Sequence, residues 1–182
     1  MIPKIIHQSY KNTELPHFFL NSPKLAKEFL PNWEYKFWTD IDLDNFIKEY
    51  YPDTYSSWLR LTPKIKRIDV SRYYLLHYFG GVYLDMDFHL RKNIEEILTD
   101  ANIFSYKSYQ AVVKKWDFFG NAFMASTKGE PFWLDLIQWI YQQPATDPVL
   151  HHTGPMGIGR FLTIKNQYNT RIFTEPFGFN TL

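Results

Sequence analysis

The chain contains no cysteine. That absence excludes a disulfide scaffold and a cysteine-ligated zinc site, and it fits either redox compartment. An excess of one charge is also missing, because 20 Lys and Arg against 19 Asp and Glu leave a formal net charge of +1 in 182 residues. Binding a phosphate backbone needs a basic stripe, so no nucleic-acid partner is expected. No apolar run reaches the roughly 18 residues of a membrane span, and "MIPKIIHQ" opens on a strand-like run without a charged and then apolar leader. The chain as given is therefore expected to be soluble and cytoplasmic, with no transmembrane segment. Repeats, low-complexity tracts and linkers are absent too, so residues 1–182 are expected to form one domain.

What is present argues for a packed interior. Apolar residues make up 45% of the chain and aromatics 19%, well above what a disordered chain carries. "PKIIHQ" reads as a strand, and "NSPKLAKEFL" as a helix with Ser22 as N-cap and Pro23 at its first position. "EYKFWTD" is a second strand, followed by a helix over "DLDNFIKEYY" capped by Asp40 or Asp42. The best-marked helix is "LTPKIKRIDVSRYYLLHYFGG", with Thr62 as cap, Pro63 at its first position and Gly80-Gly81 as its stop. "VYLDMDF", "NIFSY" and "FGNAFMAS" have the composition of strands, "GEPFWLDLIQWIYQQ" that of a helix, and a shorter helix is expected after "TGPMGIG". Strands alternating with helices imply an α/β layer structure with a mostly parallel or mixed sheet.

Two groups of charges interrupt this apolar pattern. On the well-marked helix, Ile65, Ile68, Leu75, Leu76 and Phe79 form an apolar stripe. Arg72 falls within the stripe and Asp69 on its flank. Three residues apart, they can pair with each other or reach a ligand together. In the strand that follows, Asp85 and Asp87 are expected to point the same way while Met86 points opposite. Like charges so close raise each other's pKa unless a cation neutralises them, and paired hard oxygen ligands suit Mg²⁺ or Mn²⁺. Ligands of open α/β sheets bind outside the carboxyl ends of strands, where this pair is expected.

Taken in order, "IPKIIHQ", R-x-x-D-x-x-R-Y on the helix, "GGVYLDMD", "GNAFMAS" and "TGP" resemble the D-x-D-containing glycosyltransferases of family 32, relatives of glucosylating bacterial toxins. The resemblance spans nearly the whole chain. It implies the GT-A fold, an α/β nucleotide-sugar-binding sandwich with a mixed, mostly parallel central sheet. It also implies Mn²⁺ or Mg²⁺ as cofactor, a GDP- or UDP-sugar donor, a glycan or other acceptor, and transfer of a hexose with retention. Asp69 and Arg72 are then expected beside the ribose and donor sugar, Asp85 near ribose and metal, Asp87 on the metal, and Tyr83 at the ribose. Gln8, Ser9 and Tyr10 of "HQSY" are expected to line the nucleobase pocket, with Trp38 closing it. Asn121 and Gly154 are expected to border the donor sugar. The catalytic set implied is Asp85, Asp87 and Arg72.

Members of the family commonly continue to a segment whose His, Ser or Trp completes the diphosphate site, whereas this chain stops at "EPFGFNTL". His89, His151 and His152 are substitutes to test, and donor binding is expected to exceed turnover. Two rival readings are a nucleotide-sugar-binding module with little turnover and a haloacid-dehalogenase-like phosphatase whose first Asp is the nucleophile. The phosphatase pattern places its D-x-D near the N-terminus, and here the pair is mid-chain.

Overall fold

The computed structural model describes residues 1–99, 101–106, 119–173 and 179–181. Among these, the strands are β1 (Ile5–Tyr10), β2 (Glu34–Thr39), β3 (Gly81–Leu84), β4 (Phe88–Leu90), β5 (Ile103–Tyr106), β6 (Gly120–Ser126), β7 (Thr170–Phe173) and β8 (Phe179–Thr181). The helices are α1 (Asn21–Phe29), α2 (Asp40–Tyr50), α3 (Pro52–Leu59), α4 (Lys64–Phe79), α5 (Pro131–Gln142), α6 (Val149–His152) and α7 (Pro155–Ile164). The main sheet runs β2-β1-β3-β6-β5-β7. β1 is parallel to β2 and β3, and β5 is parallel to β7, while β6 is antiparallel to β3 and β5. This is the mixed, mostly parallel α/β sheet expected from the alternating pattern. β4 and β8 form a separate antiparallel ribbon. Among the described residues no helix is long and apolar enough to cross a membrane.

Strand residues alternate faces, and the sheet uses both. Val82, Leu84, Phe104, Phe123 and Ala125 pack with Ile6 and with Ala26 of α1 on one side. Tyr83, Ile103 and Met124 face the other side, against α4 and α5. There Tyr73 stacks on Trp133 with ring centroids 5.7 Å apart.

α4 is not the amphipathic helix that its sequence suggested. Lys66, Asp69, Ser71 and Arg72 are buried along with Val70 and Leu75, so the helix is covered on nearly every side, whereas Ile65 of the expected stripe is exposed. It starts one residue later than expected. Pro63 is its N-cap and accepts the first helical hydrogen bond, from Lys66 N–H at 3.0 Å, which leaves Thr62 outside. The stop is where the glycines put it. Gly80 (φ +67°) and Gly81 (φ +91°) hold positive φ, and a Cβ on Gly81 would lie 2.5 Å from the Ile5 carbonyl oxygen.

Other boundaries also differ from the expectation, each for a local reason. The hydroxyl of Ser22 is taken by Gln8 and by the Phe88 carbonyl, so it does not cap α1. Thr39 caps α2, and Asp42 at the third position returns the bond to Thr39 N–H as a capping box. α7 begins at Pro155, inside "TGPMGIG" rather than after it.

Candidate active site

β2, β1 and β3 are neighbouring parallel strands, so all three end on the same edge of the sheet. Along that edge lies a cleft of about 440 Å³, within the range of roughly 300–1,000 Å³ usual for small-molecule sites. Its lining includes Ser9 and Tyr10 from the end of β1, Asp40 just past β2, and Asp85 to Asp87 just past β3. Arg72 of α4 and Tyr83 of β3 form its floor.

Arg72 organises the buried end of the cleft. Its Nη1 donates to Asp85 Oδ2 at 3.1 Å and to the Asn121 carbonyl at 3.0 Å, while its Nη2 lies 3.0 Å from Asp85 Oδ1. The pair is thus a two-pronged guanidinium–carboxylate bridge, which fixes geometry as well as charge. Nη2 also lies 3.6 Å from Asp69, whose oxygens accept from the Asn121 amide at 3.1 Å and the Thr153 hydroxyl at 2.9 Å. Tyr83 lies under the guanidinium, 4.9 Å from its ring centroid, and its hydroxyl bonds to Ser9 at 2.8 Å and to Asp85 at 3.3 Å.

Burial sets the electrostatics of this cluster. It pushes the carboxyl pKa of Asp69 up, against Arg72, Thr153 and Asn121, which lower it. The Asp85 carboxyl is also pushed up by burial, with Asp87 and Asp69 adding to the rise and Arg72 opposing it. Although burial would lower the pKa of Arg72, Asp85, Tyr83 and Asp69 raise it above its ordinary value, so the guanidinium stays charged. Asp69 and Asp85 therefore share one cation, and Asp87 stands beside them without one among the described residues.

The D-x-D pair itself differs from the expectation of one continuous strand. Asp85 N–H donates to the Ala122 carbonyl at 2.8 Å, which ends the ladder, and Phe88 N–H then closes a turn on the Asp85 carbonyl at 2.9 Å. An Asp at the first position of such a turn is favoured. Asp85, Met86 and Asp87 consequently all line the cleft. Asp87 is exposed and makes no hydrogen bond or ion pair among the described residues.

Not every candidate residue reaches the cleft. Strand alternation turns Gln8 to the α1 face, where it bonds to Ser22 and Tyr35 and, at 3.4 Å, to the Asp85 carbonyl. Trp38 packs on Phe46 and Phe79 and donates to His7 Nδ1 at 3.1 Å. His7 passes the contact on, donating to the Gly80 carbonyl at 3.0 Å. Its pKa is lowered to about 4, chiefly by burial, which keeps the imidazole neutral and this relay intact. Asn121 stands behind Asp69 and Arg72 and holds both. Gly154 caps α7, and a Cβ there would meet the Leu150 Cα at 3.1 Å.

The substitute histidines also lie away from the cleft lining. His152 is buried and donates to the Ile140 carbonyl at 3.0 Å, His151 shares its short helix, and His89 lies on β4 between buried Phe88 and Leu90. Residues 175–178 and 182 of "EPFGFNTL" lie outside the described residues. Among the described residues no three His, Asp or Glu side chains form a ready-made metal site. The donor set available to a cation is the Asp85–Asp87 pair, which fits Mg²⁺ or Mn²⁺ completed by substrate oxygens.

The sequence reading overlooked several lining residues, among them Lys11, Phe19, Asp40, Lys64, Ile65 and Ile68. It also passed over Thr153, one residue before the Gly154 it singled out. The capping box T-x-x-D at Thr39 to Asp42 would have placed Asp40 directly past the end of β2, and so on the edge shared with β1 and β3.

Comparison with known proteins bears on this geometry. Residues 18–104 match the family described as glycosyltransferase sugar-binding region containing DXD motif. The chain is 32% identical over 163 residues to inositol phosphoceramide mannosyltransferase 3 of Schizosaccharomyces pombe, a match covering 85% of this chain and 43% of that protein. It is 31% identical over 166 residues to mannosyl phosphorylinositol ceramide synthase CSH1 of Saccharomyces cerevisiae, covering 87% of this chain and 42% of that protein. The chain thus spans less than half the length of these relatives. Its fold is similar to that of the PaToxG glycosyltransferase, with a TM-score of 0.70, 18% identity and coverage of 90% of this chain and 70% of the other. Over residues 18–104 the chain is thus similar to the DXD-containing glycosyltransferases of family 32.

Proposed function

We propose that residues 1–182 form one glycosyltransferase domain that moves a hexose from a nucleoside-diphosphate sugar to a hydroxyl of a glycan or other acceptor. Mannose is the favoured sugar, because the relatives named above are mannosyltransferases. The observation that carries the reading is Asp85 held on both oxygens by Arg72, with Asp87 beside it in the cleft and partnerless among the described residues. This pair would hold Mg²⁺ or Mn²⁺ against the donor diphosphate. When bound, such an ion neutralises the charge that grows on the leaving group.

The residues of the chain then have distinct tasks. Arg72 fixes Asp85, and the Asn121 and Thr153 contacts fix Asp69, so the anionic end is set before the donor arrives. Ser9 and Tyr83 offer hydroxyls at the middle of the cleft, where the ribose would lie. With Asp85 held by Arg72 and Asp87 given to the cation, neither is free to form a covalent glycosyl intermediate. Retention is what the resemblance to family 32 implies, and with neither carboxylate free as a nucleophile it would run by front-face attack. The bond from the anomeric carbon to the phosphate oxygen breaks, the bond to the acceptor oxygen forms on the same face, and the acceptor proton passes to the departing phosphate oxygen. The mid-chain position of the pair weighs against a phosphatase, whose D-x-D lies near the N-terminus.

Isothermal titration of GDP-mannose, UDP-glucose and UDP-galactose, with Mn²⁺ and with EDTA, tests the proposal. Metal-dependent binding of at least one donor, with slow release of free sugar, is the expected result. If no donor binds in the presence of Mn²⁺, the proposal is wrong.

A further inference from the structure

A second set of polar contacts on α4 lies behind the cleft, and the D-x-D chemistry does not use it. Lys66, Asp69 and Tyr73 recur at i, i+3 and i+7, which puts them on one face of the helix. All three reach the same stretch of chain, the 145–153 segment between α5 and α7. Lys66 is 2% exposed, and its Nζ donates to the Ala145 carbonyl at 2.7 Å and to the Asp147 carbonyl at 2.8 Å. The Tyr73 hydroxyl donates to the Thr153 carbonyl, and the Thr153 hydroxyl donates to Asp69 Oδ2 at 2.9 Å. The two outer side chains thus bracket the contact that Asp69 makes.

The segment needs such anchors. α6 is a helix of 4 residues without a side-chain cap, and a helix that short does not hold itself together in water. Its neighbouring backbone bonds are local, from Asp147 to Pro144 and from Thr153 and Gly154 to Val149. Away from α4, His152 donates to the Ile140 carbonyl, and Gly157 lets α7 pass so close that a Cβ there would lie 2.4 Å from the His152 carbonyl oxygen. Among the described residues no carboxylate pairs with Lys66 at ion-pair distance, and that of Asp147 lies 3.8 Å from Arg160 instead. A buried ammonium is costly, and an apolar side chain would fill the same space at less cost. What Lys66 adds is the fixed position of two carbonyls. From this arrangement we propose that Lys66 and Tyr73 are positioning residues, which hold the 145–153 segment so that Thr153 keeps the Asp69 carboxylate, and through it Arg72, oriented for the donor. The inference rests on the donor reading proposed above and adds residues that act on that site through Thr153.

The test is a double-mutant cycle read as donor affinity. GDP-mannose, UDP-glucose and UDP-galactose are titrated in saturating Mn²⁺ into wild type, Lys66→Met, Tyr73→Phe, Thr153→Val, and Thr153→Val combined with each of the other two, with urea unfolding used to choose conditions where every variant is folded. Thr153→Val is expected to weaken the donor that wild type binds by about tenfold, as loss of a hydrogen bond to a charged partner predicts. Lys66→Met should weaken it about fivefold or more and Tyr73→Phe about twofold or more, in the range found for contacts that act through intermediaries. Added to Thr153→Val, either change should weaken it by less than about twofold further, because the route is already cut. Tyr73→Phe removes only a hydroxyl, so it carries the test if Lys66→Met does not fold. Donor affinity within about twofold of wild type in folded Tyr73→Phe and Lys66→Met, whatever their unfolding free energies, would make these ties structural only and overturn the inference, as would effects that add fully to that of Thr153→Val; both results leave the donor reading intact. If wild type binds none of the three donors, the donor reading itself fails and this inference fails with it.

Discussion

The two ends of the cleft are built differently. At the β3 end Asp69 and Arg72 are 6% and 9% exposed, and Asp85, Asn121 and Thr153 hold the Asp69 carboxylate and the terminal nitrogens of Arg72, while Arg72 Nε is buried without a partner among the described residues. At the β2 end Asp40 and Lys64 share one ion pair, and Ile65 beside them is exposed. A surface ion pair is worth little to stability, whereas a buried cluster is costly to break because each partner left behind is an unpaired charge. On the proposed reading the buried end is the one where groups are fixed before the donor arrives, as leaving-group chemistry requires.

The largest expected effect comes from breaking the buried end. Arg72→Ala leaves Asp69 and Asp85 facing each other without a cation, and should destabilise the chain by about 3–5 kcal/mol. Arg72→Lys keeps the charge but loses the two-pronged bridge, so it should cost less while still weakening donor binding. Urea unfolding at pH 7 measures both. A loss below about 1 kcal/mol for Arg72→Ala would mean that the cluster is not the rigid element described here.

Acid should also lower stability through His7, on β1. Its folded pKa of about 4 lies below the ordinary value of 6.5, so the unfolded chain binds the proton first as pH falls. Stability from this residue is complete above pH 6.5, declines between 6.5 and about 4, and is flat below that, a loss of roughly 3 kcal/mol. Protonation would end the acceptance of the Trp38 N–H, which backs the Gly80 turn leading into β3. Unfolding free energies of wild type and His7→Gln at pH 7, 5.5 and 4.5 should converge as pH falls. Parallel curves would assign the acid sensitivity to other groups.

Much of the buried end was legible in the sequence. Pro63 and Gly80-Gly81 punctuate α4, and an Arg and an Asp three apart on an otherwise apolar helix signal a cluster that must be satisfied inside. The partners were less legible. Thr153 and Asn121 reach Asp69 across 84 and 52 positions of sequence, and no local periodicity reports such contacts. Alternation was carried two residues too far at "LDMD", because the turn that rotates Asp87 outward depends on which residue of β6 ends the ladder. The resemblance places Trp38, on the second strand, as closing the base pocket. Register pairs it with Ser9, but its indole turns inward to His7. Asp40 was read only as a cap, since its place in the cleft follows from strand order and not from its neighbours in the chain.

The smallest expected change in stability accompanies the change most damaging to function. Asp87 is exposed and partnerless among the described residues, so Asp87→Asn should alter unfolding free energy by no more than about 0.5 kcal/mol. It removes an anionic ligand at nearly constant shape, and should weaken metal-dependent binding of a nucleoside-diphosphate sugar about tenfold or more. The direct measurement is the ratio of donor Kd with Mn²⁺ to donor Kd with EDTA, for wild type and for Asp87→Asn. A ratio well below one in wild type that rises toward one in the variant, with unfolding unchanged, is the predicted result. Equal ratios in the two proteins at saturating Mn²⁺ would contradict the claim that this carboxylate pair holds a cation against the donor.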